Sequence, residues 1–406
     1  MAKLLLTNGD ILSGKIWLSG GPRDDFRCIM TTFLQQITGK RLREVFDPKA
    51  NALNAFRLAL AVSVIFYHAY PLSGRNISYL PARHLLGALG VDGFFALSGF
   101  LITGSWLRRP DVRAFCRARA LRILPGFYVC LILTAFIFAP IGTALAGGNA
   151  SRLITSGASL KYVFNDLALY MIEIDIAGTP TGVPFAGVWN GSLWTLQWEM
   201  TCYFGILLFG VFGLMRQKWT IPVATLGAWI FFVLVGGHLD RTSVMLMHIS
   251  DGSRFALVFM VGALVQGYAY RLRVSWSLVM LAFAAFAASM YLHDYVIVGI
   301  FPYAYALVGA GALLKTSRLN LKNDYSYGTY IYAFPIQQVL ASAGLATLPI
   351  AAFAGLCVAI TAPFAVLSWF IVEKVAMKYK AKQPRNVRNK RQAASADIEH
   401  SDVLVR

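Results

Sequence analysis

From Ala52 to about residue 372 the chain is a succession of apolar runs near 20 residues long, and that repeat constrains its fold more than any other feature. A helix rises 1.5 Å per residue, so about 20 apolar residues cross the roughly 30 Å hydrocarbon core of a bilayer. Ten runs are legible, at about 52–72, 84–107, 121–141, 193–215, 219–236, 254–271, 274–292, 295–314, 326–345 and 349–372. The expected fold is all-α, a polytopic bundle of about ten transmembrane helices in a lipid bilayer. Composition agrees: 57% of the residues are hydrophobic and only 14% charged, far from the balance of a soluble domain.

The formal net charge of +18 raises the question of nucleic acid, but Lys and Arg lie between the runs and in the tail, where topology accounts for them. One set of connections holds thirteen of them, Arg108, Arg109, Arg113, Arg117, Arg119, Arg122, Arg216, Lys218, Arg271, Arg273, Lys315, Arg318 and Lys322. The opposite set holds six, Arg75, Arg83, Arg152, Lys161, Arg241 and Arg254. The positive-inside rule then places both termini in the cytoplasm, and no nucleic-acid partner is expected. Five scattered cysteines lack any CxxC spacing, and His84, His238, His248 and His293 have no helical ligand spacing, so neither a disulfide framework nor a metal site is expected.

Three parts follow: residues 1–50, an N-terminal cytoplasmic segment with no span or signal peptide; 51–375, the membrane module; and 376–406, a basic tail expected to be disordered. A hydrophobic and polar mix over residues 26–46 is open to two readings, an interfacial helix or sequence upstream of the true start codon. The longest connection, about 142–192, lies outside and is long enough to act as a lid or acceptor surface. Trp189, Trp194 and Trp198 fit an aromatic belt beside it.

Function is expected where charge enters the apolar runs, because an ionisable group at membrane depth costs at least about 2.5 kcal/mol and usually faces a partner or a water-filled cavity. Arg57 and His68 stand eleven residues apart in the first run, on one helical stripe and about 16 Å apart along the axis. Asp92 lies within the second run, between Gly90 and Gly93, whose spacing points to close helix packing. Asp92 is therefore open to two roles, a catalytic group or a buried salt bridge to Arg57 or another arginine. Arg119 and Arg122, three residues apart, present guanidinium forks on one side of the third run, a fit for phosphate. Glu199 falls about 10 Å below the outer surface, and helical rise places His68 and Asp92 in the same outer half. A histidine oriented by a carboxylate is the usual arrangement for taking a proton from a hydroxyl.

These residues sit in ordered motifs: Arg57-x10-His68, GVDGFFALSGFLIT, Arg119-x-x-Arg122 followed by Ile123-Leu124-Pro125, SLWTLQWE ending in Glu199, and SYGTYIYAFPIQ. Together they resemble the membrane-bound acyltransferase-3 family, whose members O-acylate surface and secreted glycans or other small hydroxyl acceptors. The resemblance spans about residues 50–375 and implies functional roles for Arg57, His68, Arg119 and Arg122. Departures are Gln197-Trp198 before Glu199, and Tyr332-Ala333 where the family often has a histidine.

The expected activity is transfer of an acyl group, most simply acetyl, from cytoplasmic acyl-CoA to a carbohydrate or lipid-linked glycan across a bacterial inner membrane. Arg57, Arg119 and Arg122 are expected to hold the donor phosphates. His68 is expected to act as base or acyl carrier, with Glu199 or Asp92 setting its tautomer. No permanently bound cofactor or metal is expected. The rival reading is a proton-coupled transporter with His68, Asp92 and Glu199 as its relay, although the chain shows no repeated halves.

Overall fold

The computed structural model describes residues 39–239 and 243–379. Expectations for residues 1–38, for Arg241 and for the tail beyond 379 lie outside the described residues. Of the interfacial helix read over 26–46, only the end is described: a two-residue strand β1 (Lys40–Arg41) and a single turn α1 (Leu42–Val45). β1 pairs antiparallel with β2 (Arg273–Val274), and Leu42 and Arg43 donate their amides to the carbonyls of Leu272 and Ala269 at 2.7 and 2.9 Å.

A helix occupies each of the ten expected positions: α2 (Leu53–Leu72), α3 (Leu80–Arg108), α4 (Val112–Leu133), α8 (Thr195–Val211), α9 (Thr220–Leu234), α10 (Val244–Gly267), α11 (Trp276–Ser289), α12 (Val296–Leu313), α13 (Ser326–Ser342) and α14 (Ile350–Ser368). Among the described residues seven segments are long and apolar enough to cross a membrane; α8, α11 and α13 are shorter. For α13 the reason is its position. Every residue from Ser326 to Gln338 is buried, so its surroundings are other helices, and it carries polar groups that they satisfy. Tyr327 donates to the Ile123 carbonyl at 2.7 Å and Gln337 to that of Ile65 at 3.0 Å.

Close contacts follow glycines. A β-carbon on Gly99 of α3 would lie 1.9 Å from the carbonyl oxygen of Phe259, and one on Gly262 of α10 would lie 2.0 Å from that of Ala96. Only glycine lets the two backbones meet there. Gly90 and Gly93 bring α3 against Leu60 of α2, as the spacing predicts.

The long connection is folded, with helices α5 (Ala139–Leu145), α6 (Ala150–Thr155) and α7 (Ala158–Asn165). Trp189 is fully buried, packed against Gly142 with its indole N–H on Thr179 at 3.0 Å, so it anchors this connection and is no part of a belt. At the opposite end of the bundle Asp111 caps α4, accepting the Ala114 amide at 2.9 Å, and that bond lowers its pKa. The chain past α14 enters a π-helical turn, Trp369–Glu373, before the last short helix α15 (Lys374–Met377).

Candidate functional site

The widened π turn points both Trp369 and Glu373 back at α4, where Arg122 waits. Arg122 donates to Glu373 at 2.9 Å and to Asp324 Oδ2 at 2.5 Å, and its guanidinium lies between the rings of Tyr327 and Trp369, 5.5 and 5.8 Å from their centroids. Arg57 of α2 reaches the same Asp324 oxygen at 2.8 Å. The other oxygen of Asp324 takes the amide and hydroxyl of Ser326, which places the carboxylate at the first turn of α13. Ser368 donates to the second oxygen of Glu373 at 3.1 Å. Two arginines and two carboxylates thus tie together α2, α4, α13 and the end of α14.

Arg119, one turn earlier on α4, differs. Among the described residues no carboxylate lies within ion-pair distance of it; its guanidinium lies 5.9 Å from the Tyr203 ring centroid, and its buried Nε has no hydrogen-bond partner among them. Arg113 and Arg117, on the same helix, are exposed. The basic stretch therefore divides into outward topology charges and an inward pair.

All three inward arginines line one cavity of about 230 Å³, with Ser98, Glu199 and Tyr203 across from them. Glu199 accepts from Ser98 at 2.9 Å and, through a very short bond, from Tyr203. Beyond this cavity lies a smaller void of about 30 Å³, and the two share Arg57, Glu199 and Tyr327.

The structure brings Arg57, Arg119, Arg122 and Glu199 together, and it sets His68 and Asp92 elsewhere. Asp92 is buried against Arg254 at 3.0 Å and Tyr295 at 2.5 Å, so its ion pair is with an arginine of α10 and not with Arg57. His68 packs against the ring of Phe334 at 5.0 Å between centroids and against Tyr67 at 5.6 Å, and its buried Nδ1 has no hydrogen-bond partner among the described residues. The expected contact by which Glu199 or Asp92 would set the histidine tautomer is not formed. The relay of the rival reading is not connected either, since Asp92 and Glu199 each end on other groups. Matched depth failed as a guide because depth leaves the direction around the helix axis open.

Sequence reasoning passed over Asp324, Glu373, Tyr203 and Ser98. Glu373 carried the signal that marked Asp92, a carboxylate within an apolar register (WFIVEKV). Asp324 stands two residues before the SYGTYIY motif and could have been joined to it.

The described residues hold no group of three or more His, Cys, Asp or Glu side chains that could bind a metal ion. Among proteins of known family, the acyltransferase-3 model, described as an acyltransferase domain, matches residues 50–369. An O-acetyl transferase of Shigella phage Sf6 is 28% identical over 342 residues, covering 80% of this chain and 96% of the phage protein. Nodulation protein 10 of Rhizobium leguminosarum bv. viciae is 26% identical over 375 residues, covering 81% and 94%. The O-acetyltransferase OatA of Staphylococcus aureus (strain NCTC 8325 / PS 47) is 32% identical over 111 residues, 25% of this chain and 17% of OatA. No solved structure matches. A helical bundle with membrane-length apolar helices, an arginine-lined cavity inside it and a family match over most of its length lead to one conclusion: the chain belongs to the acyltransferase-3 family and is a multi-pass, O-acetyltransferase-like membrane enzyme.

Proposed function

We propose that the chain transfers an acetyl group from acyl-CoA, taken up at the arginine end, to a hydroxyl of a carbohydrate or lipid-linked glycan at the opposite face of a bacterial inner membrane. The accompanying topology has ten spans with both termini cytoplasmic. The accompanying division is a membrane module over 51–375, with residues 1–50 before it and 376–406 after it. The observation that carries the reading is Arg119: a guanidinium without a carboxylate partner, facing a cavity whose other two arginines are already neutralised by Asp324 and Glu373. Such a cation is ready for a phosphate and gains a charge-assisted bond when one arrives.

The phosphates of the donor rest on Arg119, with Arg57 and Arg122 holding the wall. The pantetheine arm then points along α2 toward His68, about 16 Å from Arg57 by helical rise. In the transfer the acceptor oxygen attacks the thioester carbonyl and its C–O bond forms as the C–S bond breaks. The hydroxyl proton passes to His68, and the departing sulfur leaves as the thiol of CoA after taking up a proton. His68 is positioned for this by an unpartnered Nδ1, which a hydroxyl at that end can engage. Asp92 has a place in this scheme as the group that holds α3 to α10 and α12 behind the site, and Glu199 as the carboxylate facing the arginines.

The test is acyl transfer from labelled acetyl-CoA in membranes, normalised to protein amount, for the parent chain, Arg119→Ala, Arg119→Lys and His68→Gln. Arg119→Ala is expected to raise the acetyl-CoA concentration for half-maximal rate at least about tenfold, a lost charge-assisted bond of about 1.5–3 kcal/mol, with partial recovery by lysine. His68→Gln is expected to cost about 10² or more in rate. Parental donor dependence in Arg119→Ala overturns the donor assignment.

A further inference from the structure

Three helices fix the order of the two voids along the bundle. On α3, which runs toward the arginine end, Val91 and Phe94 line the small void and Ser98 and Ile102 the large cavity. On α8 Thr195 lines the small void and Tyr203 the large cavity, while Glu199 touches both. On α13 Tyr327 is shared and Tyr330 belongs to the small void alone. Each helix gives the same sequence, so the small void lies between the arginines and the His68 end. Phe334, which meets His68, stands one turn past Tyr330 on the same face of α13.

The walls of that small void are braced. Arg57 lies 5.9 Å from the centroid of Phe94, Phe94 meets Tyr330 edge to face at 5.7 Å, and the Tyr330 hydroxyl bonds Thr195 Oγ1 at 2.7 Å. Arginine, phenylalanine, tyrosine and threonine from four different helices form a collar. Inside it are about 30 Å³, against about 230 Å³ on the arginine side. A water needs about 10–15 Å³ by this measure, so the collar has room for two or three heavy atoms, the size of an acetyl group.

We infer that Phe94, Thr195 and Tyr330 form an acyl-length filter, which admits a two-carbon acyl group at the tip of the donor and excludes longer ones. The inference rests on the donor reading above, in which the thioester end leaves the arginine cavity first. Phe94 is the adjustable wall, because it lines the small void and is only partly buried, while Thr195 and Tyr330 are buried and tied to each other. The step is the transfer already written, in which the acyl carbon exchanges sulfur for oxygen; the filter acts on what hangs from that carbon.

The experiment compares transfer from acetyl-, propionyl- and butyryl-CoA in membranes containing the parent chain, Phe94→Ala or the milder Phe94→Leu, each normalised to protein amount. One methylene in a pocket is worth about 10-fold to 200-fold, so the parent is expected to use butyryl-CoA at least about 10-fold less well than acetyl-CoA. Phe94→Ala is expected to raise the butyryl-to-acetyl ratio about 10-fold. Phe94→Leu supplies the same ratio with a smaller rise if the alanine chain does not accumulate. Equal use of acetyl and butyryl donors by the parent overturns the filter and leaves the donor reading standing. An unchanged ratio in both variants removes Phe94 from it. Transfer from none of the three donors overturns the donor reading and the filter with it.

Discussion

The cluster around Arg122 and the cluster around Asp92 are built from the same parts: a buried carboxylate, an arginine from another helix at 2.5–3.0 Å, and aromatic rings over the guanidinium. They differ in what lies beside them. The first lines the 230 Å³ cavity and has an unpaired arginine one turn away; the second lines neither cavity. Buried charge in an apolar span therefore announces that a partner exists, and a site is announced only by a charge left over after the pairing is done. Arg119 is that remainder at the first cluster.

The largest effect that can break this comparison is at Arg122. Arg122→Ala leaves Glu373 with Ser368 alone and Asp324 with Arg57, and removing one partner of a buried pair costs about 3–5 kcal/mol. The expected outcome is a sharp drop in thermal stability in detergent together with loss of transfer, whereas Arg119→Ala keeps the parental melting temperature. If Arg122→Ala melts like the parent, the pairing at this cluster is not structural.

A smaller effect is expected at the second cluster. Asp92→Asn keeps the shape but withdraws the charge from Arg254, at a cost of about 1–3 kcal/mol. Melting should fall while transfer per folded molecule stays within about twofold of the parent by that scale. A well-folded Asp92→Asn chain that has lost transfer would bring Asp92 back into the reaction and erase the distinction.

The smallest effect comes from a buried carboxylate in neither cluster. Asp166, in the long connection, accepts the amides of Ile172 and Glu173 at 2.7 and 3.1 Å and has no cationic partner among the described residues. Burial pushes its pKa up to about 6 against those two amide bonds, which act to lower it. A raised carboxylate pKa favours the protonated form in the fold, so its contribution is complete below about 3.8 and is lost as pH climbs through about 6. The connection should resist protease better at pH 5 than at pH 7, and Asp166→Asn should remove the difference. A pH dependence that survives in Asp166→Asn belongs to another group.

The fold was largely legible in the sequence because a membrane-length apolar run has one common outcome, and all ten positions carry a helix. That includes α13, whose polar residues are tolerated because other helices surround it and satisfy them. Of the site, Arg57, Arg119 and Arg122 were legible as a group because arginine spacing on one turn and charge within a span are local signals; Glu199 was legible as a charge within a span but was joined by depth to His68 and Asp92 instead of to the arginines. Asp324 and Glu373 were not, since their partner Arg122 is 202 and 251 residues away and pairing at that separation leaves no local pattern. The pairing of Asp92 with an arginine was among the two roles the glycines around it left open; which arginine was decided by the crossing of α3 and α10.

That crossing also limits how the enzyme can move. Where the carbonyls of Ala96 and Phe259 rest in the places of missing side chains, neither helix can rotate or slide without collision, so α3 and α10 travel as one piece. Along α3 that piece carries one wall of both voids. Facing it, α4 is tied by Arg122 to Asp324 and Glu373, and α8 meets α3 through the bond from Ser98 to Glu199. Any change in the width of the two voids therefore has to come from the helices that face this piece, and not from shear between α3 and α10.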